Sequence, residues 1–168
     1  MRYFLTGFMA SGKTYWAKQW SLASGLPMYD LDEEIEKRAG MSVDAIFQQK
    51  GEVYFRKLER DTLCSFLRLD HYIMACGGGT PCFYNNMQRM SEKGVVIYLK
   101  ADAKEIADRL RSQKESRPLV KEIPDDVLET FVAEKIQQRE PYYLHALYHF
   151  PIRFLTLENF EKIIRRHE

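Results

Sequence analysis

Apolar residues along this chain fall into two alternating patterns. Short apolar runs occur at Arg2–Thr6, Pro27–Tyr29, His71–Cys76, Val95–Leu99 and Phe150–Leu155. Their length and their flanking turn residues predict buried strands. Between them, apolar residues recur with helical spacing. Trp16, Ala17 and Trp20 mark a helix over Tyr15–Leu22, and Glu33–Arg38 reads as a second. Val43–Gln49 and Glu52–Leu67 read as a helix pair broken at Gly51, and Ala103–Arg111, Asp125–Gln138 and Phe160–Arg166 complete the set. Strands alternating with helices predict an α/β domain built on a parallel sheet. Ser112–Pro124 is different: it is polar, holds two prolines and shows little periodicity. A stretch of that kind inside a compact domain reads as a lid or binding loop, with a disordered excursion as the alternative. There is no repeat, low-complexity segment or linker, so residues 1–168 read as one domain.

Composition narrows the partners. Net charge is +1, so no bulk field draws the chain to nucleic acid or an anionic membrane, and any site for an acidic ligand must be built locally. Hydrophobic residues at 45% and charged residues at 29% fit a soluble globular protein. Cys64, Cys76 and Cys82 form an odd set without paired metal spacing and read as buried reduced thiols. With a strand predicted almost from Met1, no signal peptide and no membrane-spanning run is expected, and the expected compartment is the cytoplasm. The size and balanced charge are compatible with a monomer.

Gly7-Phe8-Met9-Ala10-Ser11-Gly12-Lys13-Thr14 reads G-x-x-x-x-G-K-[ST], a phosphate-binding loop set between a strand and a helix. Backbone N–H groups and the helix N-terminus would face the phosphates of a nucleotide. Lys13 would reach the β- and γ-phosphates, and the Thr14 hydroxyl would hold Mg²⁺. The acid that assists the metal is expected at a strand end. Asp102 is one candidate, and Asp30 with Asp32 is a better one. A spacing of two puts both carboxylates on one face if the strand is still extended there. One could serve the metal and the other deprotonate a hydroxyl nucleophile; alternatively, Asp32 caps the next helix and Asp30 is solvated. Gly77-Gly78-Gly79 follows a predicted strand, where glycines suit close approach of backbone to a ligand, although a plain tight turn is the bland alternative. Arg56 is flanked by Glu52 and Glu59 at helical spacing, which permits surface ion pairs or a rigid carboxylate-binding guanidinium. Arg117 sits beside Pro118, and Arg139 precedes Glu140-Pro141-Tyr142-Tyr143 at an apparent helix break. The four histidines show no ligand spacing.

Together these segments resemble the shikimate kinase family, in order and across nearly the whole chain. The similarity lies in G-F-M-A-S-G-K-T at Gly7–Thr14, Y-D-L-D at Tyr29–Asp32, and G-E-x-x-F-R-x-x-E at Gly51, Glu52, Phe55, Arg56 and Glu59. It continues in Gly77–Gly79, R-P-L at Arg117–Leu119, and R-x-P-x-Y at Arg139, Pro141 and Tyr143. Ala10 and Ser11 depart from the family's usual glycine and variable residue.

The resemblance implies a P-loop fold of the nucleoside monophosphate kinase type, in three α/β/α layers around a five-stranded parallel sheet. A substrate-binding helical region would cover about residues 33–60 and a lid about 112–124. It implies phosphorylation of the shikimate 3-hydroxyl by ATP, a step towards chorismate and the aromatic amino acids. Ala10, Ser11, Gly12, Lys13 and Thr14 would bind ATP phosphates, with Thr14 and Asp30 serving Mg²⁺. Asp32 would bind shikimate hydroxyls and act as base. Arg56, Gly77, Gly78, Gly79 and Arg139 would bind shikimate, the arginines at its carboxylate. Arg117 would close over the phosphates as a catalytic group beside Lys13, and Arg111, or alternatively Arg109, would contact adenine. Gluconate and nucleoside monophosphate kinases share the loop and sheet, but the G-E-x-x-F-R segment and triple glycine argue against them. A nucleotide-binding module that has lost chemistry is opposed by the presence of both aspartates and all three arginines.

Overall fold

Alternation along the central strands sets the layering. In β1 (Arg2–Thr6), Tyr3 and Leu5 enter one core cluster and Phe4 the other. In β3 (Tyr72–Ala75), Ile73 and Ala75 oppose Tyr72 and Met74. In β4 (Val95–Lys100), Val95, Ile97 and Leu99 oppose Val96 and Tyr98. Successive strand side chains point to opposite faces, so a strand apolar throughout must be covered on both.

The computed structural model describes residues 1–168 apart from the side chains of Ser116, Pro118 and Leu119, so the R-P-L segment lies partly outside the described residues. One face of the sheet is covered by α1 (Lys13–Ser24), α6 (Ala103–Gln113), α8 (Asp125–Tyr143) and α9 (Leu157–His167). Trp20 of α1 is fully buried there and stacks on Phe160 of α9, with ring centroids 4.3 Å apart. The other face is covered by α2 (Leu31–Ala39), α3 (Val43–Lys50), α4 (Glu52–Phe66) and α5 (Asn86–Lys93). With β2 (Met28–Asp30) and β5 (Tyr148–Pro151), the strands form one parallel sheet in the order β2-β3-β1-β4-β5. All carboxyl ends therefore lie at one edge, with the loop after β1 beside the points where the order reverses. That edge is where open α/β sheets bind ligands.

Four elements differ from the sequence reading. β5 ends at Pro151, and Ile152–Phe154 is a 3₁₀ turn that tucks Ile152 inward while Phe154 is left 74% exposed. A run that looked like a strand thus holds a single edge-strand end plus a turn. α5 was not predicted, because only Met87 and Met90 mark its buried stripe within polar sequence. α8 continues through Pro141 to Tyr143 instead of breaking near Arg139. A proline in the last turn forfeits one helical hydrogen bond, with the Gln137 carbonyl, and the remaining packing tolerates this. Ser112–Pro124 is not a plain loop. Lys114–Ser116 forms a 3₁₀ turn and Pro118–Lys121 a short helix, α7, anchored by fully buried Val120. Of the three free thiols, only Cys76 is buried; Cys64 and Cys82 are half-buried.

Gly94 turns the chain into β4 where a Cβ would stand 2.4 Å from the Arg2 carbonyl oxygen. Backbone cannot yield as a side-chain tip can. Gly94→Ala is therefore expected to destabilise the fold by about 1–3 kcal/mol in a denaturant titration, with specific activity per folded molecule retained.

Candidate active site

The loop between β1 and α1 is shaped by residues that only tight backbone geometry explains. Gly7 has φ 141°, and a Cβ there would lie 2.5 Å from the Leu99 carbonyl oxygen. Gly12 has φ 90° and caps α1, which starts at Lys13 with its N–H groups turned into the loop. Ala10 also takes a left-handed φ, 61°, which costs a non-glycine residue about 1 kcal/mol. Arg109 Nη1 donates to the Ala10 carbonyl at 2.9 Å and braces that peptide. Ser11 is buried under the loop, and its N–H donates to the Phe8 carbonyl.

Lys13 closes the loop on itself. Its Nζ donates to the Gly7 and Phe8 carbonyls, each at 2.8 Å. Burial lowers its pKa to about 8, opposed by the nearby Asp32 carboxylate. The ammonium is therefore charged at neutral pH but poorly solvated, a state that an incoming phosphate would relieve.

Asp30 and Asp32 do different work from each other. β2 ends at Asp30 and α2 begins at once, so the two carboxylates do not share an extended strand face. Asp30 is the helix cap: its Oδ1 accepts from the N–H groups of Asp32 and Glu33, at 3.1 and 3.4 Å. Its Oδ2 accepts from Thr14 Oγ1 at 2.6 Å. These two hard oxygens at the loop mouth fit a small divalent cation that keeps waters and phosphate oxygens for its other positions. Asp32, in the first turn of α2, is turned into the site. Burial, then the charges of Asp30 and Glu59, raise its pKa to about 6.

Two pockets meet at this carboxylate. The larger, about 650 Å³, lies over the phosphate loop and is lined by Ala10, Gly12, Lys13, Thr14, Asp30, Trp16, Arg109 and Ile152 among others. The smaller, about 250 Å³, is lined by Arg56, Arg139, Gly79, Phe47, Phe55 and Val43 among others. Met9, Asp32, Gly77, Gly78 and Arg117 line both. Arg117 donates to Gln113 Oε1 at 3.0 Å, and its burial in the junction lowers its pKa.

The smaller pocket has a rigid cationic wall. Arg56 donates through Nη1 to buried Glu59 at 2.9 Å and through Nε to Glu52 at 3.3 Å. Thr80 Oγ1 donates to the other Glu59 oxygen at 2.8 Å. The Arg56 guanidinium lies 4.2 Å from the Phe83 ring centroid. Across the pocket, the Arg139 guanidinium lies 5.5 Å from the Phe8 ring centroid. The triple glycine is explained by its neighbours. A Cβ on Gly79 would sit 2.5 Å from Arg56 Nη2, one on Gly78 3.3 Å from Arg139 Nη1, and one on Gly77 3.0 Å from Asp32 Oδ1.

Most residues singled out in the sequence converge here. Arg111 does not: it pairs with Asp108 at 2.6 Å and reaches the Asp125 carbonyl, away from both pockets. Two residues earlier on α6, Arg109 points the other way and lines the larger pocket, as helical geometry requires. Ser11 also lines neither pocket. Trp16, Gln113 and Ile152 of the larger pocket and Val43 and Phe47 of the smaller carry the sequence signal of ordinary core or surface residues. The spacing of Glu59 from Arg56 points to their pairing, but not to the burial of Glu59.

A phosphoryl donor in the larger pocket would meet an acceptor in the smaller one at Asp32 and Arg117. Two substrates meeting beside one carboxylate, over a phosphate loop at the edge of this sheet, is the arrangement of a P-loop small-molecule kinase. Comparison with known proteins narrows this. The shikimate kinase family model matches residues 9–166, and the chain belongs to that family. A curated shikimate kinase of Parabacteroides distasonis is 37% identical over 158 residues, which cover 94% of this chain and 91% of that protein. The crystal structure of shikimate kinase from Bacteroides thetaiotaomicron superposes with a TM-score of 0.93 at 32% identity, covering 98% of each chain. The solved structure of shikimate kinase from Acinetobacter baumannii in complex with shikimate gives a TM-score of 0.87 at 25% identity, covering 99% of this chain and 94% of the other.

The raised Asp32 pKa carries a stability cost. The penalty is absent below the ordinary value of 3.8, grows between there and about 6, and is complete above. Asp32→Asn removes the charge. The variant is expected to be more stable than the parent by about 1–2 kcal/mol at pH 7.5, with the gain vanishing near pH 4. Urea titrations at the two pH values check this; an equal difference at both would contradict it.

Proposed function

We propose that this shikimate kinase family member transfers the γ-phosphoryl group of ATP to the 3-hydroxyl of shikimate, giving 3-phosphoshikimate and ADP. The observation that carries the reading is the junction itself: a carboxylate with a raised pKa stands between a phosphate loop and a pocket walled by two guanidinium groups. Arg56 and Arg139 bind the shikimate carboxylate, and Gly77, Gly78 and Gly79 let the ring approach the backbone. Asp32 accepts hydrogen bonds from the ring hydroxyls and takes the proton of the 3-hydroxyl as its oxygen attacks phosphorus. The bond from the γ-phosphorus to the bridging oxygen breaks as the new one forms, and the loop amides, Lys13 and Arg117 hold the developing charge. Lys13 leaves the Gly7 and Phe8 carbonyls to do so. Arg109, which lines the larger pocket, contacts the adenine in place of Arg111, which lines neither pocket.

Thr14 and Asp30 would hold Mg²⁺, which when bound neutralises phosphate charge. The segment around 112–124 acts as the lid that brings Arg117 over the phosphates and keeps water from ATP. No helix among the described residues is long and apolar enough to cross a membrane. A cytoplasmic setting, with the chain acting as a monomer, belongs to the same proposal, and the free thiols suit a reducing compartment.

The experiment is ADP release by purified protein with ATP and Mg²⁺, with and without shikimate, and with gluconate or nucleoside monophosphates as alternative acceptors. Strong dependence on shikimate supports the reading. Nucleotide binding without it overturns the acceptor.

Two substitutions separate the roles. Arg117→Ala is expected to lower kcat about a hundredfold or more while shikimate affinity, by titration calorimetry, stays within about threefold; an unchanged kcat would remove Arg117 from the chemistry. Gly79→Ala places a methyl against the Arg56 guanidinium, which Glu59 holds in place. It is expected to raise the KM for shikimate about tenfold or more and to leave the KM for ATP near that of the parent.

A further inference from the structure

R-x-P-x-Y carries a second polar group besides Arg139, and the mechanism does not use it. Tyr143 follows Arg139 by four residues on α8, so their side chains share one face of the helix, one turn apart. Tyr143 is fully buried, with its ring 5.0 Å from that of Tyr98. Its hydroxyl donates to the Gly78 carbonyl in the middle of the triple glycine. Arg139 lies close enough to that hydroxyl to favour its ionised form, although burial dominates and raises its pKa. Arg139 Nη1 in turn abuts Gly78, 3.3 Å from where a Cβ would be.

A glycine run has more conformational freedom than any other sequence, and left to itself would not hold one peptide orientation. Its two ends are tied here. Thr80 N–H donates to the Gly77 carbonyl at 3.1 Å and Cys82 N–H to the Gly79 carbonyl at 3.0 Å. The Gly78 carbonyl has its hydrogen bond from Tyr143. Because a peptide unit is planar and trans, fixing that carbonyl also fixes the Gly79 N–H on its opposite side.

We infer that Tyr143 is a positioning residue of the smaller pocket, its hydroxyl locking the Gly78–Gly79 peptide and seating Arg139 beside it so that both present one geometry to the acceptor substrate. The inference rests on the shikimate reading of that pocket. The role is in binding before the reaction, common to ground and transition states, so it acts on KM and not on kcat.

The test is Tyr143→Phe, which keeps the ring against Tyr98 and removes only the hydroxyl. The expected result is a rise of about tenfold in the KM for shikimate, with kcat and the KM for ATP within about twofold and a matching loss of shikimate affinity by calorimetry. An unchanged KM for shikimate overturns the inference. So does a uniform loss, in which both KM values and the melting temperature worsen together, since that describes a merely structural tyrosine. The parent enzyme, assayed in parallel, keeps the two readings apart. Absence of shikimate-dependent turnover in the parent defeats the acceptor assignment, whereas a normal parent with an unaltered variant defeats the role of Tyr143 alone.

Discussion

The Arg56–Glu59 pair, buried under the smaller pocket, is the interaction on which the site depends. Two charges taken from water cost several kcal/mol each unless their geometry and remaining hydrogen bonds compensate. Glu59, 1% exposed, has Arg56 on one oxygen and Thr80 on the other. Arg56 has Glu52 and the Phe83 ring as further support. The consequences run outward. The guanidinium lies so close over Gly79 that no side chain fits there, and Thr80 must begin a turn directly after the glycines. The pair holds a cation rigidly at the pocket wall, so little side-chain entropy remains to be lost when an anionic substrate binds.

Electrostatics among the site's own groups are unfavourable in a consistent direction. Burial pushes Lys13 down to about 8 and Asp32 up to about 6, each towards its neutral form. Both groups are charged at neutral pH and each partly stabilises the other. A phosphate chain near Lys13 and hydroxyl donors near Asp32 would supply the missing partners, so part of the folded state's strain is relieved by substrates. Stability is given up at Asp32 and at the left-handed Ala10, both at the junction of the two pockets and the phosphate loop, the kind of place where folded proteins hold functional strain.

Much of this was legible along the chain. Gly7 to Thr14 could be placed on a loop between strand and helix because glycine requirements and apolar runs are local. The five strands were legible for the same reason, although β5 was placed too late: an edge strand buries half its residues, and its apolar run merged with the turn after it. The pairing of Arg56 with Glu59 followed from helical spacing, but whether the pair was solvated or buried did not. Arg111 and Arg109 differ by two positions on one helix, and only the direction of α6 relative to the phosphate loop shows that Arg109 lines the larger pocket. A strand still extended at Asp32 would put Asp30 and Asp32 on one face; instead α2 begins at Leu31, directly after β2, and that boundary separates a capping acid from a buried one.

The sequence by itself determined the class of fold, the phosphate loop and the list of chemical groups, because each is written in short-range patterns of period and residue type. Tertiary structure decided where those groups meet. Asp32, Arg56, Gly78, Arg117 and Arg139 come from five separate segments and share pockets only because parallel strands deliver every loop to one edge of the sheet. Burial, and with it the pKa of Asp32 and the worth of the Arg56–Glu59 pair, depends on what packs around a residue from elsewhere in the chain, and no local pattern encodes it.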